Sequence, residues 1–180
     1  MVRNFTGDAV DAEVLDRILA SGLRAPSAGN TQSLDLVVVD DPQRYWSVTM
    51  PDPSGFGWPG LLRAPVLVIP VVSAEAYADR YSEPDKAGAG LGSVDAWSVP
   101  YWWVDGGAAV QNLLLACVAE GLGACFFAQV HHEPAVRREF GIPDDRRCVG
   151  TVAIGHRAPD GPGRSSTRPK RTDQIHRGSW

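Results

Sequence analysis

The chain has 180 residues, 44% of them apolar, and a formal net charge of -4. That is long enough to bury one real core, which excludes disordered and fibrous classes, and the acidic balance argues against a nucleic-acid surface. The longest apolar run, APVLVIPVVSA at 64–74, falls far short of the roughly 20 residues a bilayer span needs. No basic-then-apolar leader opens the chain, so a cytoplasmic protein with no membrane and no nucleic-acid partner is expected.

The first periodic segment is VDAEVLDRILASGL, residues 10–23. Val14, Leu15, Ile18 and Leu19 share one helical face, Asp11 is placed to cap it, and Val10 with Leu15 forms a hydrophobic staple. A polar loop follows, RAPSAGNTQ at 24–32. The β-branched run LDLVVVDDP then predicts a strand over Leu34–Val39, and PVLVIPVVS at 65–73 predicts a second. MPDPSGFGWPG, residues 50–60, carries too many prolines and glycines for regular structure, and its aromatics are suited to covering something.

AEAYADRYSEP at 74–84 reads as a short helix, and DKAGAGLGS at 85–93 is flexible by composition. GAGLGS within it superficially resembles a dinucleotide loop, but Ser93 stands in the place of the last glycine and no strand-turn-helix surrounds it. VDGGAAVQNLLLACVAEGLG, residues 104–123, predicts a long, mostly buried helix with Asp105 as N-cap and glycine after Glu120. A strand at ACFFAQV (124–130), a helix at PAVRREF stopped by Gly141, and a strand at CVGTVAIG (148–155) complete the pattern, followed by a basic tail without periodicity. Helices packed on the faces of one sheet are expected from this order. Cys117, Cys125 and Cys148 lack metal-type spacing and read as reduced core thiols. Adjacent histidines in a strand, His131 and His132, would face opposite ways, so no metal site with Cys125 is expected.

The polar loop has chemistry of its own. A serine hydroxyl with asparagine and glutamine amides suits a flat heteroaromatic ring edged by alternating N–H and C=O groups, because an amide donates and accepts at once. A well-capped turn is the plainer alternative. RAPSAGNTQ also resembles the A-P-S-x-x-N-x-Q loop of the nitroreductase superfamily. In the expected order, NLLLACVAEGLGACFFAQV resembles that family's central dimer helix, turn and strand. FGIPDDRRCVGTVAIGH resembles its penultimate strand, and RPKRTDQIHRGSW its basic C-terminal arm.

The resemblance implies a single α+β domain over 1–180: a nitroreductase-like sandwich, a mixed central sheet flanked by helices, in a homodimer with an extended arm at 157–180. It implies two sites at the subunit interface, each holding FMN and using NAD(P)H as co-substrate to reduce a small aromatic, nitro or quinone-type acceptor. Carried over residue by residue, Pro26, Ser27 and Asn30 line the ring edge with Gln32 nearby. Phe126, Phe127, Ala128 and Gln129 run beside the ring, where a backbone N–H stabilises the reduced nitrogen. Arg168, Lys170 and Arg171 are candidates for the phosphate, where a guanidinium binds two oxygens at once. The bond-making chemistry belongs to the flavin and to no side chain. Aromatics of FGWPG and SVPYWWV are lid or packing.

Two departures accompany the resemblance. Where the family has R-R-S-x-R-x-F, the segment MVRNF keeps Arg3 and Phe5, and Met1 stands where the serine would be. The natural start then lies upstream, or flavin is bound weakly, or flavin has been lost, and the missing helix leaves apolar dimer surface uncovered. Ser33-Leu34 replaces the family's Pro-Trp, which widens the pocket or signals a different ligand. A flavin-consuming or dehydrogenating relative, and a non-catalytic ligand-binding or assembly member, remain as alternatives.

Overall fold

A computed structural model describes residues 1–159 and 168–179; residues 160–167 and 180 of the expected arm lie outside the described residues. Among the described residues five helices and five strands follow one another as α1 (Ala12–Leu23), β1 (Asp35–Val39), α2 (Pro42–Thr49), β2 (Val66–Val72), α3 (Ala74–Ser82), α4 (Tyr101–Ala119), β3 (Gly123–Phe127), α5 (Glu133–Glu139), β4 (Arg147–Cys148) and β5 (Thr151–Gly155). No helix among the described residues is long and apolar enough to cross a membrane.

The sheet runs β1-β2-β5-β3, with β4 also beside β2. The α+β class stands, but the expected mixture of strand directions does not: every pairing of described strands is antiparallel. β4 and β5 replace the single strand expected at 148–155. Their registers on β2 differ by one residue, Val71 facing Cys148 but Val68 facing Val152, which marks a bulge at Val149–Gly150. The cause is Pro70. Its carbonyl accepts Val149 N–H at 2.9 Å, so its nitrogen, which has no proton to give, faces the same lane and interrupts the ladder there.

Two helical layers cover the sheet, and the strands feed them alternately. Leu67, Ile69 and Val71 of β2 join Val39, Tyr45, Trp46 and Val136 on the α2/α5 face, while Val68 joins Ile18, Val110, Leu113, Val152 and Ile154 on the α1/α4 face. A third cluster of Val72, Tyr77 and Trp102 ties α3 to α4.

The cap of α1 is as expected, with Asp11 Oδ1 accepting Val14 N–H at 3.1 Å. α2, absent from the sequence reading, starts at Asp41-Pro42. Asp41 accepts Gln43 N–H at 3.0 Å and Pro42 occupies the first turn. The Asp-Asp-Pro that closes β1 therefore also opens a helix. The largest correction concerns α4. It begins at Tyr101 with Pro100 at its cap position, so Asp105 stands inside the helix rather than at its N-cap.

Candidate active site

α1 ends at Leu23, and the chain turns through a short 3-10 segment at Ala28–Asn30. Gly29, Asn30 and Gln32 have φ of 63°, 54° and 53°. Glycine adopts this left-handed region freely and asparagine tolerates it, but glutamine must be forced into it by its surroundings. Those surroundings begin inside the loop. Ser27 Oγ accepts Gln32 N–H at 3.0 Å, Thr31 Oγ1 donates to Ala28 O at 2.6 Å, and Gln32 Nε2 donates to Asn30 Oδ1 at 3.1 Å.

Two helices then clamp the loop. Arg80 Nε of α3 donates to Gly29 O at 2.9 Å, and the Tyr81 ring lies so close to Gly29 that a Cβ there would meet it at 2.7 Å. From α4, Asp105 Oδ2 accepts Ala28 N–H at 2.7 Å and the Tyr77 hydroxyl at 2.7 Å. Burial and the carboxylate partner both push the Tyr77 phenol well above its ordinary range, so it donates throughout the working pH range. A small cavity of about 200 Å³ opens here, lined in part by Pro26, Ser27, Gln32, Leu34, Tyr77 and Asp105. Asn30 and Gln32 stay exposed. Ser33 is buried and Leu34 packs against the α3/α4 cluster, and both also line this cavity.

A second cavity, about 320 Å³, lies at the end of β3 and is walled by Tyr45, Trp46, Phe56, Trp58, Phe127 and Gln129 among others. Phe127 stacks on Trp46 with ring centres 5.8 Å apart. Gly150 permits this strand end to pack, because a Cβ there would meet the Phe126 ring at 2.5 Å and Phe127 O at 2.8 Å. Ala128 is exposed. The Gln129 side chain turns inward and donates to Thr151 Oγ1 at 2.9 Å, and Thr151 also hydrogen-bonds the Tyr45 hydroxyl at 2.8 Å. The Gln129 amide nitrogen is thus engaged, while its Oε1 is buried with no hydrogen-bond partner among the described residues. Burial pushes the Tyr45 phenol up to about 12. Val130, next in the chain, has φ of 42°, a conformation β-branched residues rarely hold.

Arg3 stands over the Trp58 ring at 5.1 Å, and Trp58 meets Phe56 edge-on at 6.0 Å. The aromatics of the 50–60 loop thus form a wall of this second cavity. Those of SVPYWWV divide: Trp102 is buried against Tyr77 and Trp97, while Tyr101 and Trp103 are exposed. His131 and His132 sit in a 3-10 turn rather than a strand, and among the described residues no cluster is arranged to hold a metal ion.

Arg3 and the Phe127–Gln129 segment gather at the second cavity, whereas Pro26, Ser27 and Gln32 line the first; neither cavity takes in both groups. Arg168, Lys170 and Arg171 are exposed and line neither cavity, and Arg171 pairs with Asp173 at 3.3 Å. Sequence reasoning missed three residues here. Asp105 and Arg80 hold the loop from distant segments, and the strain at Val130 has no sequence signature.

The chain is similar to known proteins over most of its length. An Archaeoglobus fulgidus protein carrying the provisional description NADH dehydrogenase/NAD(P)H nitroreductase is 25% identical over 99% of this chain and 92% of its own. A Thermus thermophilus NADH dehydrogenase is 28% identical over 89% of this chain and 83% of its own. The solved structure of an FMN-dependent nitroreductase from Clostridium difficile R20291 superposes with a TM-score of 0.70 at 19% identity, covering 99% of this chain and 94% of that one. Residues 1–46 and 52–156 match the sequence profile of the nitroreductase family, and the chain belongs to that family.

Proposed function

We propose that the protein is a homodimeric FMN-dependent oxidoreductase that passes hydride from NAD(P)H to a small aromatic, nitro or quinone-type acceptor. The observation that carries this reading is the Ser27–Gln32 loop. Its two exposed amides are held in left-handed backbone by bonds from two helices, a strained arrangement suited to a preorganised recognition edge.

The residues present fit the flavin. Ser27, Asn30 and Gln32 supply directed donors and acceptors for its polar ring edge, and Pro26 flanks them. Phe127 and Ala128 with the Gln129 main chain supply a wall and a backbone N–H, Phe126 packs instead on the opposite, α1/α4 face of β3, and Arg3 adds a cation nearby. Arg168, Lys170 and Arg171 offer the charge a phosphate needs. When bound, FMN supplies two-electron chemistry between a nicotinamide nucleotide and the acceptor; the chain binds, orients and excludes water.

Because the loop and the β3 end line separate cavities, the reading takes the loop from one protomer and the strand end from its partner. The exposed face of α4 supports this. Tyr101, Val104, Ala108, Gln111, Leu115 and Val118 recur at spacings of three and four, the period of a helix-pairing seam, and Val104, Leu115 and Val118 are 51%, 58% and 71% exposed.

The deciding experiment is the visible spectrum of the purified protein, with and without added FMN, then with NADH or NADPH under anaerobic conditions. Flavin bands that bleach on adding nucleotide are expected. No uptake of FMN would overturn the reading in favour of a non-catalytic ligand-binding member.

A further inference from the structure

Asp105 is an unlikely residue for its position on propensity grounds alone. It lies one turn inside α4, followed by Gly106 and Gly107, and aspartate and glycine both weaken a helix interior. Its carboxylate does no capping, since the helix starts four residues earlier. Both of its hydrogen bonds cross to other elements: Ala28 N–H, which opens the 3-10 turn, and the Tyr77 hydroxyl of α3, each at 2.7 Å to the same oxygen. The Ala28 N–H bond is at the short end of the N–H···O range and the Tyr77 bond has the usual O–H···O length, so both donors are well seated on that oxygen.

We propose that Asp105 is a positioning residue for the ligand-reading loop: by accepting the Ala28 N–H and the Tyr77 hydroxyl on one oxygen, it sets the direction in which Asn30 and Gln32 point. The assignment of a flavin ring as what they read rests on the function proposed above; the clamp itself does not. Ala28 is the first residue of the turn, so fixing its amide plane fixes where the left-handed residues that follow can lie. Arg80 on Gly29 O and Tyr77 on the carboxylate complete a support built from α3 and α4. Asp105 directly follows Val104 of the exposed α4 stripe, so the same helix carries the support for the loop and the seam through which two protomers would pair.

What matters in this role is the reach of the acceptor rather than its charge. Asparagine retains a carbonyl oxygen at the same distance, glutamate retains the charge but is one methylene too long, and alanine removes the acceptor. The test therefore compares Asp105→Asn, Asp105→Glu, Asp105→Ala and Tyr77→Phe in the full chain. FMN affinity is read by fluorescence titration, and exchange of the Ala28 amide is read in flavin-free protein.

Asp105→Ala is expected to weaken FMN binding about tenfold or more and to speed Ala28 exchange, while Asp105→Asn stays within about threefold of wild type. Asp105→Glu should fall nearer to alanine, and Tyr77→Phe between wild type and alanine. If Asp105→Ala does not fold, the order of Asn above Glu still decides. Wild-type affinity and wild-type Ala28 exchange in a folded Asp105→Ala protein would overturn the proposal, as would Glu outperforming Asn, which is the pattern of a charge effect. Should the wild type take up no FMN, the functional reading fails, and Ala28 exchange alone decides the clamp: faster in Asp105→Ala upholds it, unchanged overturns it.

Discussion

Asn30 joins two physical demands in one side chain. Its backbone sits at φ 54°, which asparagine tolerates better than most residues, and its exposed amide both donates and accepts. Asn30→Ala removes the amide and strains the backbone, whereas Asn30→Gly removes only the amide. Losing a buried partner on a bound ring costs about 1–3 kcal/mol, so both variants should weaken FMN binding roughly 5- to 150-fold. A titration in which the glycine variant binds as tightly as wild type would assign the position to backbone geometry alone. The cysteines make a separate residue-scale prediction. Burial pushes the Cys117 and Cys148 thiols up to about 12 and raises Cys125, so little thiolate exists at pH 8. Iodoacetamide at that pH should label the native protein far more slowly than the urea-unfolded chain, as followed by mass spectrometry.

Among the elements, α5 and β4 are joined by one well-formed pair. Arg147 Nε and Nη2 reach the two oxygens of Glu133 at 2.7 Å each, and Glu133 Oε1 also accepts Cys148 N–H at 3.1 Å. The Arg147 guanidinium holds the Glu133 carboxyl below its ordinary value of 4.5, against the opposing effect of burial. A carboxylate with a depressed folded-state value stabilises fully above its unfolded value and loses that contribution as pH falls through the folded one. Because Arg147 is half exposed, the contribution at neutral pH is about 0.5–1 kcal/mol. Glu133→Gln should therefore melt below wild type at pH 7, and the gap should narrow in thermal scans as pH falls below 4.5. The helix α4 shows where element-scale reading stops. Asp-Gly-Gly looks like a helix start, but the aromatic turn before it becomes helical because Trp102 is buried against Tyr77 and Trp97, contacts that come from residues five and twenty-five positions upstream.

For the whole molecule, the separation of the loop from the β3 end turns assembly into a measurable requirement. The double variant Leu115→Asp, Val118→Asp places two charges in the exposed α4 stripe. By sedimentation it should be monomeric with unchanged far-UV circular dichroism, and it should lose FMN uptake together with dimerisation. A monomer that still binds FMN at wild-type affinity would show that one protomer builds the site alone. Ligand binding also couples to stability, since FMN at about 100 times its Kd adds about 2.7 kcal/mol to a fold that alone binds it. The melting temperature of wild type should rise accordingly, and a transition indifferent to saturating FMN would count against the flavin reading.

The apolar β-branched run of β2, the amphipathic α1 with its Asp11 cap, the helical character of 105–119 and the polar character of the 24–32 loop were all legible in the sequence, because each depends on neighbours within a turn or a pleat; the expected burial of α4 was not met, since Val104, Leu115 and Val118 are exposed. Residue types alone thus located the loop and suggested its ligand chemistry. Other features depended on partners distant along the chain. Pro70 split the strand opposite it, Thr151 and Tyr45 drew the Gln129 side chain inward, and Asp105 left its expected cap to hold Ala28 seventy-seven residues away. Local periodicity determines which face of an element is apolar; which polar groups meet across that face is decided only when the buried donors and acceptors of the folded chain must all be satisfied together.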